Sequence, residues 1–206
     1  MKFYMTPGSC TTGIHILLEE LELVFEVHLV NLLAGDQDAP AYRAINPKGT
    51  IPTLVRDDGT ALTDFLSIAW WLARTWPRRG LLPEDAEGQA RVLEVMSHAV
   101  GTVHGQGFAR IFTTEKFSPN PAEHAAVKAR GREIAERGFA VMDAVLDGRD
   151  FAVGDRFSIA DAALFYVEFW ATRSDIPLPP NCLAHYARML TRPAVRQVLA
   201  EEGYRV

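Results

Sequence analysis

The feature that most constrains this chain is a change of hydrophobic period near residue 80. Before it, short β patterns alternate with amphipathic helices; after it, every apolar stripe has helical spacing. Residues 2–5 predict a strand, and Thr6-Pro7-Gly8-Ser9 a turn. Ile14, Leu17, Leu18 and Leu21 recur at i, i+3, i+4 and i+7, which predicts a helix. Phe25, Val27 and Leu29 alternate with Glu26 and His28, which predicts a strand with one buried face. A short helix is expected over 40–45. Residues 53–55 and 60–62 flank Asp57-Asp58-Gly59, a hairpin signature. Phe65, Ile68, Ala69, Leu72 and Trp76 form a further stripe that Pro77 ends.

The predicted order is therefore βαβαββα, an α/β domain over 1–78. A turn-rich linker is expected at 79–88 and an all-helical domain at 89–206. In the helical part, Val92, Met96, Ala99 and Val103 share a face. Asn120-Pro121-Ala122-Glu123 reads as a helix start, and Ser158-Ile159-Ala160-Asp161 as a capping box. Asn181 and Thr191 are candidate caps for two last helices.

Composition narrows the function. Apolar residues make up 48% of 206, enough for a core and against wholesale disorder. The net charge of −5 argues against a nucleic-acid binder. No apolar run is long enough to span a membrane, and the N-terminus lacks a signal core, so a cytoplasmic protein is expected. Two cysteines, Cys10 and Cys182, are too few for a disulfide framework. No metal is expected.

Cys10 falls between a turn and a helix. A thiolate at a helix N-terminus is stabilised, so its pKa would fall; the competing reading is a small buried hydrophobe. Cys182 lacks such a setting and reads as structural. Ile51-Pro52 precedes a strand. Most X–Pro bonds are trans, whereas a cis bond would let the backbone of Ile51 pair with an extended ligand. Asp64 opens a helix, either as a cap or as a carboxylate for a ligand ammonium, with the Phe65 N–H beside it for a ligand carboxylate. His104 lies among Gly101, Gly105 and Gly107, each unfavourable in a helix by about 1 kcal/mol. Either close packing or room for a ligand would account for them. Phe108, Arg110 and Phe112 follow it. Glu168 is either solvent-reaching or a buried polar group, and Tyr4 reads as strand packing.

Together these pieces resemble the cytosolic glutathione transferase family over essentially the whole chain. The likeness rests on Phe3-Tyr4…Pro7-Gly8-Ser9-Cys10, on Asn46-Pro47-Lys48-Gly49-Thr50-Ile51-Pro52, on Asp57-Asp58-Gly59-Thr60-Ala61-Leu62-Thr63-Asp64, and on Ser158-Ile159-Ala160-Asp161. The Gly-Ser-Cys start is most similar to the bacterial beta class. The resemblance implies a thioredoxin-like domain followed by a helical one, a cytoplasmic homodimer, and glutathione as co-substrate without a metal. It implies conjugation of glutathione to small electrophiles, a detoxifying chemistry, with thiol–disulfide exchange through Cys10. Cys10, Thr11 and His104 are then the catalytic candidates. Thr12, Ile51, Pro52, Asp64 and Phe65 would hold glutathione, and Phe108, Arg110 and Phe112 would line the electrophile pocket. The resemblance raises the cis form of Ile51-Pro52 and assigns Ser158 and Asp161 to stability. Three departures stand out: Phe65 in place of the usual serine, Asp64 in place of the longer Glu, and Gly105 where the beta class has a lysine. The Ser9-Cys10 pair also resembles zeta-type enzymes, which implies a glutathione-dependent isomerase as an alternative. A non-catalytic binding protein on the same fold is the other.

Overall fold

The computed structural model describes residues 1–205. Its first elements are β1 (Lys2–Met5), α1 (Thr11–Glu20), β2 (Glu26–Leu29), α2 (Pro40–Arg43), β3 (Thr53–Val55), β4 (Ala61–Leu62) and α3 (Phe65–Thr75). The strands form one mixed sheet in the order β2-β1-β3-β4. β1 and β2 run parallel, joined by the α1 crossover, whereas β1–β3 and β3–β4 are antiparallel. Phe3 and Leu54 are paired in register and fully buried, against Ile14, Leu17 and Leu18 of α1 and Ile68 and Leu72 of α3 in the same core. The β3–β4 turn closes at Gly59, whose φ of 82° is left-handed and suits glycine. This is the thioredoxin-like arrangement, and an all-helical part follows it.

β2 corrects one expectation. It has no buried face: Val27 is 46% and Leu29 69% exposed. The strand lies at the sheet edge, so the apolar–polar alternation is not set against a core. Phe25, just before it, packs edge-on against Phe3 and His15.

The compact units do not follow chain order. Residues Met1–Leu82 and the chain from Leu190 on make one unit, and Pro83–Met189 the other. The residues from Leu190, expected within the helical domain, pack instead with the first unit. There α9 (Pro193–Glu201) lies against α1. Arg192 pairs with Glu20 at 2.8 Å. Beyond α9, the Glu202 carboxylate accepts the Gly8 N–H and the Thr12 hydroxyl, both at 2.7 Å, and faces His15 Nδ1 at 3.0 Å. A Cβ on Gly8 would lie 1.9 Å from Tyr204 Oη, and Gly8 has φ +70°, so only glycine fits this turn.

The second unit contains α4 (Ala86–Ser97), a π-helix over His98–Phe108, α5 (Ala109–Phe112), α6 (His124–Val145), α7 (Ile159–Arg173) and α8 (Pro180–Met189). Val92, Met96, Ala99 and Val103 are fully buried, as their spacing requires. α7 opens with a capping box: Ser158 Oγ accepts the Ala160 N–H, and Asp161 accepts the Ser158 N–H at 2.7 Å. Asn120 accepts the Ala122 N–H, whereas Glu123 turns to the Ser118 hydroxyl instead of closing a box. The two late caps are corrected. Asn181 lies inside α8 and bonds to Asp143 of α6, while Arg192 occupies the cap position of α9. Among the described residues, no helix is long and apolar enough to cross a membrane.

All three clustered glycines lie in the π-helix, and close packing accounts for Gly107. A Cβ on Gly107 would meet Ala135 of α6 at 3.2 Å, and one on Gly131 would fall 2.7 Å from the Gly107 carbonyl oxygen. The clash at Gly131 involves backbone, which cannot swing aside. Gly131→Ala is therefore expected to destabilise by roughly 1–3 kcal/mol, despite the better helix propensity of alanine. Gly101→Ala, whose Cβ meets nothing within 4 Å, is expected to be neutral or stabilising. Thermal melts of the two variants check this; equal shifts would remove the packing explanation.

Candidate active site

In the first unit, Cys10 occupies the N-cap position of α1, and its thiol donates to the Ile51 carbonyl at 3.5 Å. The Ile51-Pro52 peptide is cis, as the resemblance implied, and so is Thr63-Asp64. The loop before Pro52 is held from several sides. Tyr42 Oη donates to the Thr50 carbonyl at 2.6 Å, and Asn46 Nδ2 donates to the same oxygen at 2.8 Å and to Thr53 Oγ1 at 3.0 Å. Thr50 in turn donates to Asp64 Oδ1 at 2.8 Å, and Lys48 Nζ reaches Asp64 Oδ2 at 2.9 Å. The half-exposed Asp64 carboxylate thus carries an ammonium group in this structure. Phe65, the first residue of α3, is buried.

Lys48 and Thr50 were not among the expected site residues. The available sign was their position: polar side chains at 48 and 50 immediately before Ile51-Pro52, which meet the acidic start of α3.

Of the two readings of Cys10, burial favours the small buried thiol over the thiolate. Burial pushes the Cys10 thiol up to about 12, and the Asp64 charge adds to this; hydrogen bonds from its own backbone and from Ser9 pull the other way but lose. The helix start is present, but the neighbouring charge is a carboxylate and not a cation, so the proton stays on sulfur at neutral pH. Two hydroxyls expected near the chemistry are also committed. Thr11 is buried and donates to the Thr6 carbonyl at 2.9 Å, with Ser9 Oγ 2.7 Å away. Thr12 is buried and bound to Glu202. Both hold the shape of the turn, while Ser9 Oγ accepts the Thr11 N–H at the helix start.

In the second unit, His104 joins an aromatic cluster. Its Nδ1 lies 3.1 Å from Tyr166 Oη, and its ring meets Trp170 edge-on. Burial lowers His104 to about 4, so it is neutral at pH 7. Phe108 is fully buried and stacks on Phe112, which remains half exposed. Both rings also contact Trp170. Arg110 turns elsewhere: its guanidinium lies 4.5 Å from the Phe117 ring centre and donates to the Gln106 carbonyl. Cys182 is buried and structural, its thiol directed at the Phe139 carbonyl.

The sequence and fold can be set against known proteins. Residues 8–75 match the glutathione S-transferase N-terminal domain, and residues 125–188 match its C-terminal domain. The chain is 32% identical to glutathione S-transferase GstA of Escherichia coli O157:H7, over 98% of this chain and 99% of that protein. A glutathione transferase homologue from Sulfitobacter, solved with bound glutathione, superposes with a TM-score of 0.89 at 25% identity, covering 97% of each chain. A beta-class enzyme of Sphingomonas chungbukensis gives 0.84 at 26% identity, over 98% of this chain and 99% of that one. The chain belongs to the glutathione S-transferase family.

Proposed function

We propose that this chain joins glutathione to small electrophiles, and that it carries out thiol–disulfide exchange at Cys10 as a second reaction. The observation that carries the reading is the meeting of three groups in the first unit: the Cys10 thiol, the Ile51 carbonyl before a cis proline, and the Asp64 carboxylate. The γ-glutamyl ammonium of glutathione replaces Lys48 on Asp64. The cysteinyl backbone extends along Ile51, as an added strand does. Its sulfur then comes to the start of α1, where the dipole favours thiolate. Because Cys10 keeps its proton, its role toward that thiolate is to donate a hydrogen bond. The glutathione thiol releases its proton to solvent, and its sulfur forms a C–S bond as the leaving group departs with its electron pair.

Exchange follows the same placement. The Cys10 sulfur attacks the glutathione sulfur of a mixed disulfide while its proton passes to the departing sulfur, forming Cys10–S–S–glutathione and releasing the other thiol. A second glutathione then attacks that bond, restoring Cys10 and leaving oxidised glutathione, so electrons balance.

Asp64→Asn tests the binding half. A charge-assisted hydrogen bond is worth about 1.5–3 kcal/mol, so the KM for glutathione is expected to rise at least about tenfold with kcat little changed. The measurement is steady-state conjugation to an aryl halide. An unchanged KM, or no conjugation by the parent chain, would sink the reading.

A further inference from the structure

One cation in the candidate active site takes no part in bond making: Lys48. The two oxygens of Asp64 are held differently. Oδ1 accepts the Thr50 hydroxyl at 2.8 Å, and Oδ2 faces Lys48 Nζ at 2.9 Å. Thr50 is short and its loop is fixed, since its carbonyl accepts Tyr42 Oη at 2.6 Å and Asn46 Nδ2 at 2.8 Å. The backbone at Lys48 is fixed as well. Its N–H donates to Asn46 Oδ1 at 3.1 Å, the Gly49 N–H donates to the Asn46 carbonyl at 3.0 Å, and Asn46 is buried. The Lys48 side chain is not so confined: it is 53% exposed on a flexible four-carbon stem. An exposed ion pair of this kind shifts an equilibrium by only about 1.5–5-fold. The ammonium can therefore leave Asp64 while its anchored backbone keeps it within reach.

Glutathione presents two charges to this place. Its γ-glutamyl end carries an ammonium and a carboxylate on one carbon. An ammonium arriving at Oδ2 displaces one already paired there, so the exchange returns less than a new ion pair would. What is recovered depends on where Lys48 goes. In water it regains hydration alone. Beside the ligand carboxylate it forms a second charge-assisted pair, and the four charges alternate in sign: Asp64, ligand ammonium, ligand carboxylate, Lys48. The first side chain of α3 supplies no rival donor for that carboxylate, because Phe65 is apolar and buried.

We propose that Lys48 reads the α-carboxylate of the ligand. It pairs with Asp64 in this structure; displaced by the α-ammonium, it pairs with the carboxylate on the same carbon. Lys48 and Asp64 together then select a zwitterionic α-amino acid group over ligands bearing only one of its charges. The inference rests on the reading that glutathione binds at Asp64, and adds to it the residue that discriminates among thiol peptides. Only ionic contacts change hands, so Lys48 sets affinity and not the chemical step.

The test is calorimetric titration of the full chain with two ligands: glutathione and 4-aminobutyryl-cysteinylglycine, which keeps the ammonium and lacks the α-carboxylate. The parent chain is expected to prefer glutathione. Lys48→Met should lower that preference by about three- to fivefold, the worth of one exposed ion pair. Loss of the Lys48–Asp64 pair acts on both ligands alike, so the ratio of their affinities isolates the carboxylate contact. Lys48→Arg, which restores the charge, should restore the preference. Added salt should erode the preference in the parent chain and leave Lys48→Met unaffected. The position is half exposed, so both variants should keep the parent circular dichroism. An unchanged preference in Lys48→Met overturns the proposal. If glutathione still binds the parent chain and Asp64→Asn still weakens it, that failure is of Lys48 alone; if the parent chain binds no glutathione, both readings fall.

Discussion

An Asp161→Ala variant is expected to lose about 3–5 kcal/mol of stability, the range for removing one partner of a buried charged network. Asp161 is fully buried at the start of α7. It accepts the Ala152 N–H at 2.7 Å, the Ser158 N–H at 2.7 Å and the Ser158 hydroxyl at 2.9 Å, and lies 3.2 Å from His185 Nε2. Alanine would leave these donors buried without an acceptor, and water cannot replace what it lost. The other side of the imidazole meets Glu168 at 2.8 Å, also fully buried. Burial opposes the His185 charge, but Glu168 and Asp161 outweigh it and hold the ring up at about 10.

The sign of the resulting pH dependence is definite. The folded value of His185 lies above its unfolded value of about 6.5. Its contribution is therefore full below pH 6.5 and is lost as pH rises towards 10, because the unfolded ring releases its proton first. Urea unfolding of the parent chain, Asp161→Ala and His185→Gln across that range checks both points. A loss under about 1 kcal/mol for Asp161→Ala, or an alkaline limb unchanged in His185→Gln, would show that the network is not energetically coupled to folding.

Cys10→Ala is expected to cut thiol–disulfide exchange at least about a hundredfold, since no sulfur remains to form the mixed disulfide. Conjugation should fall less, by about tenfold, the rate equivalent of about 1.5 kcal/mol, the low end for a hydrogen bond to a charged acceptor because S–H is a weak donor. Cys10→Ser separates the two roles. Its hydroxyl can donate to the glutathione thiolate but cannot exchange, so conjugation should recover while exchange stays lost. The paired assays are aryl-halide conjugation and reduction of a glutathione mixed disulfide. If neither activity changes in Cys10→Ala, the assignment of Cys10 fails. The high pKa adds a further reading: at pH 8 the native thiol should alkylate much more slowly than a free cysteine, because its proton is retained towards about 12.

What the sequence made legible was local. The Pro7-Gly8 turn before α1, the Gly59 hairpin and the Ser158–Asp161 box each carry their signal within a few residues, and each forms where its pattern stands. The Val92–Met96–Ala99–Val103 face was readable because a helical period reports burial directly. Edge position is not periodic, so the pattern of β2 could not disclose that Val27 and Leu29 face outward. Partners distant in sequence were equally hidden. Nothing near Thr12 or His15 announces Glu202, and nothing near Glu168 announces His185. The Cys10 thiol shows the same limit. Its helix start was legible, but the burial and the Asp64 charge that decide its protonation arise only when separate segments meet.

The return of the chain from Leu190 to the first unit bears on how the protein is made. Gly8 and Thr12 are bound by a carboxylate 190 residues or more downstream. At a translation rate of about 5–20 residues per second, that partner leaves the ribosome on the order of 10–40 s after them. During that interval the nascent cysteine turn lacks its clasp. The molecule's chemically committed corner is thus completed only after the intervening helical segment has emerged.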